Sequence, residues 1–124
     1  MKTTRLPYDI FLGEPSEVLS GLGEVPVVLE REDDENLVLM WAEGYKANTD
    51  ALRVTVSALA NVARRDADLV KEVLGEELSW LPLLPESERH RCMQELLDLL
   101  LAVAETGDSV PFVRALASWS STTM

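Results

Sequence analysis

Val25-Pro26-Val27-Val28-Leu29 and Leu37-Val38-Leu39-Met40-Trp41 stand on either side of Glu30-Arg31-Glu32-Asp33-Asp34-Glu35-Asn36. Two short aliphatic runs around a polar turn containing Asp and Asn predict two antiparallel strands joined by a hairpin. Val25, Val27 and Leu29 alternate with Val28 and Glu30, and Leu37, Leu39 and Trp41 alternate with Val38, Met40 and Ala42. Successive side chains of a strand point to opposite faces, so both faces of the hairpin read as apolar. A small sheet with one short helix cannot cover two such faces. Either a partner chain or the later helices must do so.

Before the hairpin, Leu6, Tyr8, Ile10 and Leu12 alternate with Pro7, Asp9 and Phe11. This predicts a further strand from Arg5 to Phe11, with Pro7 confining it to a sheet edge or a strand end, because proline has no ladder donor. Gly13-Glu14-Pro15 breaks the alternation. A short helix over 15–22 follows, with Val18, Leu19 and Leu22 on one face and Gly23 as its stop.

After the hairpin the period becomes helical. Asn48 or Thr49 is a candidate cap, and Leu52, Val56, Leu59, Val62 and Ala63 form an i, i+3/i+4 stripe. Asp66 and Asp68 offer a second cap before Leu69, Val70, Val73 and Leu74, so residues 49–74 read as either one helix or two. Leu78 to Pro85 is an apolar connector interrupted by proline. Pro85 opens a helix with Met93, Leu96, Leu97, Leu100, Val103 and Ala104 inward, widened by Leu99 and Leu101 and ended by Gly107. Asp108 or Ser109 caps a last helix with Phe112, Val113, Leu116 and Trp119 inward, before a polar tail from Ser120 to Met124. The fold class is α+β. Residues 1–65 hold a small three-stranded antiparallel sheet with helices, and 66–124 form an all-helical extension.

Charge narrows the function. The chain of 124 residues has a net charge of −11, and residues 1–45 alone carry Lys2, Arg5 and Arg31 against ten acids. Nucleic-acid affinity depends on basic side chains that displace counterions, so charge alone disfavours it and favours a basic protein partner. The longest apolar stretch, Leu96 to Ala104, is interrupted by Asp98 and falls short of the roughly 18 residues a membrane span needs. Met1-Lys2-Thr3-Thr4-Arg5 leads into Pro7 and Asp9 and does not read as a secretory signal, and the single cysteine, Cys92, fits a reducing compartment. A cytoplasmic location is expected.

Chemistry-bearing residues are sparse. His90 and Cys92 lie two apart on a helix and point about 200° from each other, so they make no nucleophilic pair. The carboxylates between Glu30 and Glu35 lack the spaced oxygens and glycine of a calcium loop and read as a solvated hairpin tip. Gly21-Leu22-Gly23 follows a helix instead of opening one, so it is not a phosphate loop. No catalytic residue, metal site or cofactor is expected. Trp41, Trp80 and Trp119 read as core fillers, or as partner anchors of the kind that dominate interfaces. Lys2, Thr3, Thr4 and Arg5, with Tyr8, form a small polar cluster suited to phosphate contact.

Glu14-Pro-Ser-Glu-Val-Leu, Val25-Pro-Val-Val-Leu-Glu-Arg and Asn36-Leu-Val-Leu-Met resemble the pattern of the Phd/YefM (prevent-host-death) antitoxin family. That pattern is a short helix with a leucine-rich end, a Val-Val-Leu-x-Arg strand, a hairpin and a Val-Leu strand. Residues 78–119, with Trp80-Leu-Pro-Leu-Leu-Pro-Glu86, Arg89-His90-Arg91, Gly107 and Leu116-Ala-Ser-Trp119, are similar to the helical extension of an actinobacterial-type subgroup. The resemblance implies a homodimer that neutralises a RelE- or Doc-like protein toxin and binds operator DNA as an autorepressor. By position, Lys2, Thr4, Arg5 and Arg31 would face DNA. Trp80, Phe112, Leu116 and Trp119 would serve the protein partner. The hairpin departs from the family pattern, because Glu32, Asp33, Asp34 and Glu35 place four carboxylates where relatives are basic or neutral. The alternative is a dimeric interaction module of the same fold without DNA binding.

Overall fold

The computed structural model describes residues 4–123. The chain divides into two compact units, Met1–Asp50 and Ala51–Met124.

The first unit is built on a three-stranded sheet in the order β1-β2-β3, with β1 at Thr4–Pro7, β2 at Val27–Glu30 and β3 at Leu37–Leu39. The β2–β3 pair is the expected antiparallel hairpin, with Val27 opposite Leu39, Val28 opposite Val38 and Leu29 opposite Leu37. The sheet as a whole is mixed and not antiparallel throughout, because β1 runs parallel to β2, with Thr4 beside Val27 and Leu6 beside Leu29. The connection explains the correction. Residues 8–26 carry two short helices, α1 at Tyr8–Gly13 and α2 at Pro15–Ser20. A helical crossover returns the chain to the start of the next strand in the same direction, whereas a tight turn would reverse it.

Helix α1 also overturns the longer strand expected from Arg5 to Phe11. The alternation of Tyr8, Ile10 and Leu12 marks no buried strand face, for Ile10 and Leu12 remain 49% and 57% exposed. Pro7 ends β1 and stands at the start of α1, so this proline does sit at the end of an edge strand.

Helix α3 spans Ala42–Arg65 and begins well before the expected cap at Asn48 or Thr49. The Trp41 carbonyl already accepts the Tyr45 N–H at 3.1 Å. Thr49 lies inside the helix, where its hydroxyl donates to the Tyr45 carbonyl at 2.9 Å, and Lys46 pairs with Asp50 at 2.8 Å. Local bonds of this kind let Ser, Thr and Asn sit within a helix instead of capping it.

In the second unit Asp66 resolves the question of one helix or two. Its φ of −151° leaves helical geometry, and its carboxylate accepts the Leu69 N–H at 3.1 Å, so a new helix, α4, starts at Ala67 and runs to Glu76. A 3-10 turn at Leu81–Leu83 occupies the proline-interrupted connector. Helix α5 follows at Glu86–Thr106 and α6 at Val110–Ser121.

The core lies on α5. Leu97, Leu100 and Val103 pack with Val56 and Ala63 of α3 and Val70 of α4. Cys92 and Leu96, both fully buried, pack with Leu84 and with Ala115 of α6. Gly107 ends α5 in the left-handed region at φ 75°, where its N–H donates to the Val103 carbonyl at 2.8 Å. No helix among the described residues is long and apolar enough to cross a membrane.

Two substitutions separate packing from backbone strain. Leu96→Ala should cost roughly 2–5 kcal/mol, because the side chain has no solvent-facing route to relax. Gly107→Ala should cost about 1–2 kcal/mol, because only glycine occupies the left-handed region without a Cβ clash. Urea unfolding followed by circular dichroism reads both.

Candidate interaction surfaces

The first unit removes little apolar surface from water. Leu22 and Leu29 are its buried hydrophobic residues among those described. Leu37, Val38 and Trp41 stay 43%, 59% and 53% exposed, and Leu19, Val25 and Tyr45 are exposed as well. Strand register sorts the sheet residues into two faces. One carries Leu6, Val27, Leu29, Leu37 and Leu39, and the other carries Val28 and Val38 beside Arg5 and Glu30. The second face is thus part apolar and part charged.

Trp41 is exposed but fixed. Its indole N–H donates to the Leu22 carbonyl at 3.2 Å and ties the start of α3 to the segment after α2. Trp41 and Met40 line an open cleft of about 360 Å³ with Gly23, Glu24, Glu43 and Gly44. Its lining thus combines the apolar Met40 and Trp41 with the carboxylates of Glu24 and Glu43.

Of the four residues expected to meet phosphates, Arg5 and Arg31 approach carboxylates of the same chain. Lys2 lies outside the described residues. Thr4 is exposed at the start of β1. Arg5 approaches Glu30 at 3.9 Å across the parallel pair, a loose exposed contact. Arg31 is held more firmly. Its guanidinium donates to Asp34 at 2.9 Å and lies 5.3 Å from the Tyr8 ring centre, and its backbone N–H donates to Asn36 Oδ1 at 3.0 Å. Asp9, Glu30, Glu32, Asp33 and Asp34 line the cleft around Arg31. This geometry closes the hairpin and surrounds its one guanidinium with acids.

The four residues expected to serve a partner have a different setting. Trp80, Phe112, Leu116 and Trp119 are each half-buried against the cluster of Leu84, Cys92, Leu96 and Ala115. Trp119 is further held to α5, where its indole N–H donates to Glu95 at 3.1 Å and the Arg91 guanidinium lies 5.8 Å from its ring. Other side chains that read as inward are left in water. Leu59, Val62, Leu69, Val73 and Val113 are all exposed. Sequence periodicity placed them on the apolar faces of their helices but did not tell a covered face from an open one.

Chemistry beyond contact and charge is scarce among the described residues. Buried polar side chains are lacking there, and no three His, Cys, Asp or Glu side chains converge. His90 is exposed, whereas Cys92 is fully buried. Comparison with family models, curated proteins and solved structures finds no match to the chain.

Burial, reinforced by the Glu95 carboxylate, pushes the Cys92 thiol up from 9.0 to about 11. Near neutral pH the folded chain should hold roughly a hundredfold less thiolate at this position than an ordinary cysteine does. Iodoacetamide should therefore alkylate the native protein far more slowly than the urea-unfolded one. The sign for stability follows from proton binding. The unfolded thiol ionises first, so stability is unaffected below the unfolded value of 9.0 and falls as pH rises from there through about 11.

Proposed function

We propose that this chain is an antitoxin-like protein of a type II toxin–antitoxin system, a homodimer with a Phd/YefM-type N-terminal unit that neutralises a basic RelE- or Doc-like toxin. The observation that carries the reading is the imbalance in the first unit, where two buried leucines stand against a wide exposed apolar surface on the sheet and the start of α3. Fully burying one aliphatic side chain from water contributes roughly 1.5–3 kcal/mol, and covering side chains that are about half exposed contributes a correspondingly smaller share each toward association with a second copy. The charge of −11 supports the second half of the reading, because a positively charged toxin would be steered toward this chain and held by complementary charge. The role is binding and not catalysis, in a cytoplasmic setting. A cofactor has no part in it.

With Arg5 near Glu30 and Arg31 paired to Asp34, the second reading, a dimeric interaction module that has lost DNA binding, gains a specific observation in its favour.

Light scattering of the chain alone, and after mixing with the product of the neighbouring gene, tests the proposal. A dimer that becomes a larger stable complex is expected, and a strict monomer that ignores that product would overturn it. Val38→Asp should weaken self-association at least tenfold. Val38 is mostly exposed in the single chain, so the thermal transition of the second unit should stay unchanged. Gel shift with the chain's own promoter DNA at about 50 mM salt, where a few phosphate contacts suffice for binding, separates the two readings. A shift supports the autorepressor, and none supports the interaction module.

A further inference from the structure

Trp41 is the single tryptophan of the first unit. More than half of its surface faces water, yet the bond from its indole N–H to the Leu22 carbonyl restrains the ring. An aromatic side chain held in this way loses little freedom on binding, which is what makes tryptophan an effective anchor in interfaces.

Charge says what this anchor meets. The cleft that Trp41 lines with Met40, Gly23 and Gly44 has Glu24 and Glu43 as its charged members, and no base lines it. Among the described residues neither carboxylate has an ion-pair partner. The described bases of the first unit lie elsewhere, each beside a carboxylate of its own: Arg5 at 3.9 Å from Glu30, Arg31 at 2.9 Å from Asp34 and Lys46 at 2.8 Å from Asp50. The same unit of a second copy therefore brings bases that are already matched. A ring and two carboxylates in one cleft favour a cation, since the π face attracts it and the carboxylates neutralise it. Guanidinium fits both partners. It is planar, stacks on an indole, donates paired N–H groups to a carboxylate and is more weakly hydrated than an ammonium.

We propose that the Trp41 cleft receives an arginine side chain of a basic protein partner, with the guanidinium against the indole and its N–H groups donating to Glu24 or Glu43. The inference rests on reading the chain as a binder of a basic protein, and it names the residue which that partner presents. It leaves Val28 and Val38 on the sheet to the second copy.

The indole N–H resonances of the full chain, labelled with nitrogen-15, test it, because Trp41, Trp80 and Trp119 each give one signal. The probes are acetyl-Gly-Arg-Gly-amide and the same peptide with citrulline, which keeps the shape of arginine and lacks its charge, both added to millimolar concentration. The arginine peptide should move the Trp41 signal in a saturable way and leave Trp80 and Trp119 in place, while the citrulline peptide should bind at least fivefold more weakly. The surface pair Glu24→Gln with Glu43→Gln should weaken the arginine peptide at least fivefold without altering self-association. An unmoved Trp41 signal, equal binding of the two peptides, equal shifts at all three tryptophans or full binding by the glutamine pair would overturn the proposal. So would a Trp41 signal that moves when the chain alone is concentrated and returns with Glu24→Gln and Glu43→Gln, since a second copy would then be the occupant. If the neighbouring gene's product binds the glutamine pair as tightly as the unmodified chain, the cleft is refuted as its anchor and the antitoxin reading stands. If the arginine peptide seats at Trp41 while that product does not bind, the arginine site stands and the antitoxin reading fails.

Discussion

Three short strands cannot remove their own apolar side chains from water, and that constraint governs the rest of the account. A hairpin in isolation is marginal, and a third strand helps only if one face of the sheet is covered. Here Leu29 is covered while Leu37 and Val38, on opposite faces of β3, are not. The N-terminal unit gains specificity from register and from polar closures such as Arg31 with Asp34 and Asn36, and Trp41 with Leu22. Exposed and half-buried hydrogen bonds of this kind fix geometry but contribute only about 1 kcal/mol each. Burial has to supply the remainder.

The second unit meets the same requirement internally. Helix α5 carries Cys92, Met93, Leu96, Leu97, Leu100 and Val103 out of contact with water, and α3, α4 and α6 supply the partners. It too leaves apolar side chains in water, among them Leu59, Val62, Leu69, Val73 and Val113. The two units thus expose apolar side chains on different scaffolds. One exposes apolar and charged residues on a small sheet, and the other exposes aliphatic side chains along its helices.

Much of the fold was legible in the sequence where the physical signal was long or strong. The α5 stripe and its stop at Gly107 rest on a repeated period and a specific backbone need, whereas residues 49–74 read as one helix or two and the structure decides for two at Asp66. The hairpin was legible from its two aliphatic runs. The misreadings came from short or ambiguous signals. Six residues of α1 give too little length to distinguish a helical period from alternation, and the start of α3 has no capping side chain to announce it, while Asn48 and Thr49 looked like one. Strand direction is encoded only in the connection, so parallel pairing of β1 became visible once α1 and α2 were placed. Of the candidate site residues, sequence identified the basic ones but not the carboxylates that engage Arg5 and Arg31. It classed Leu59 and Val73 as inward because periodicity specifies a face, not its cover.

The central claim is that the β2–β3 hairpin is completed by another copy of the chain. Hydrogen exchange of the Val28 and Val38 amides, followed as a function of protein concentration with the Leu96 and Leu100 amides as internal reference, tests this directly. The account predicts that protection of the hairpin amides rises with concentration while that of α5 stays constant. Hairpin protection that equals that of α5 and does not change on dilution would contradict it.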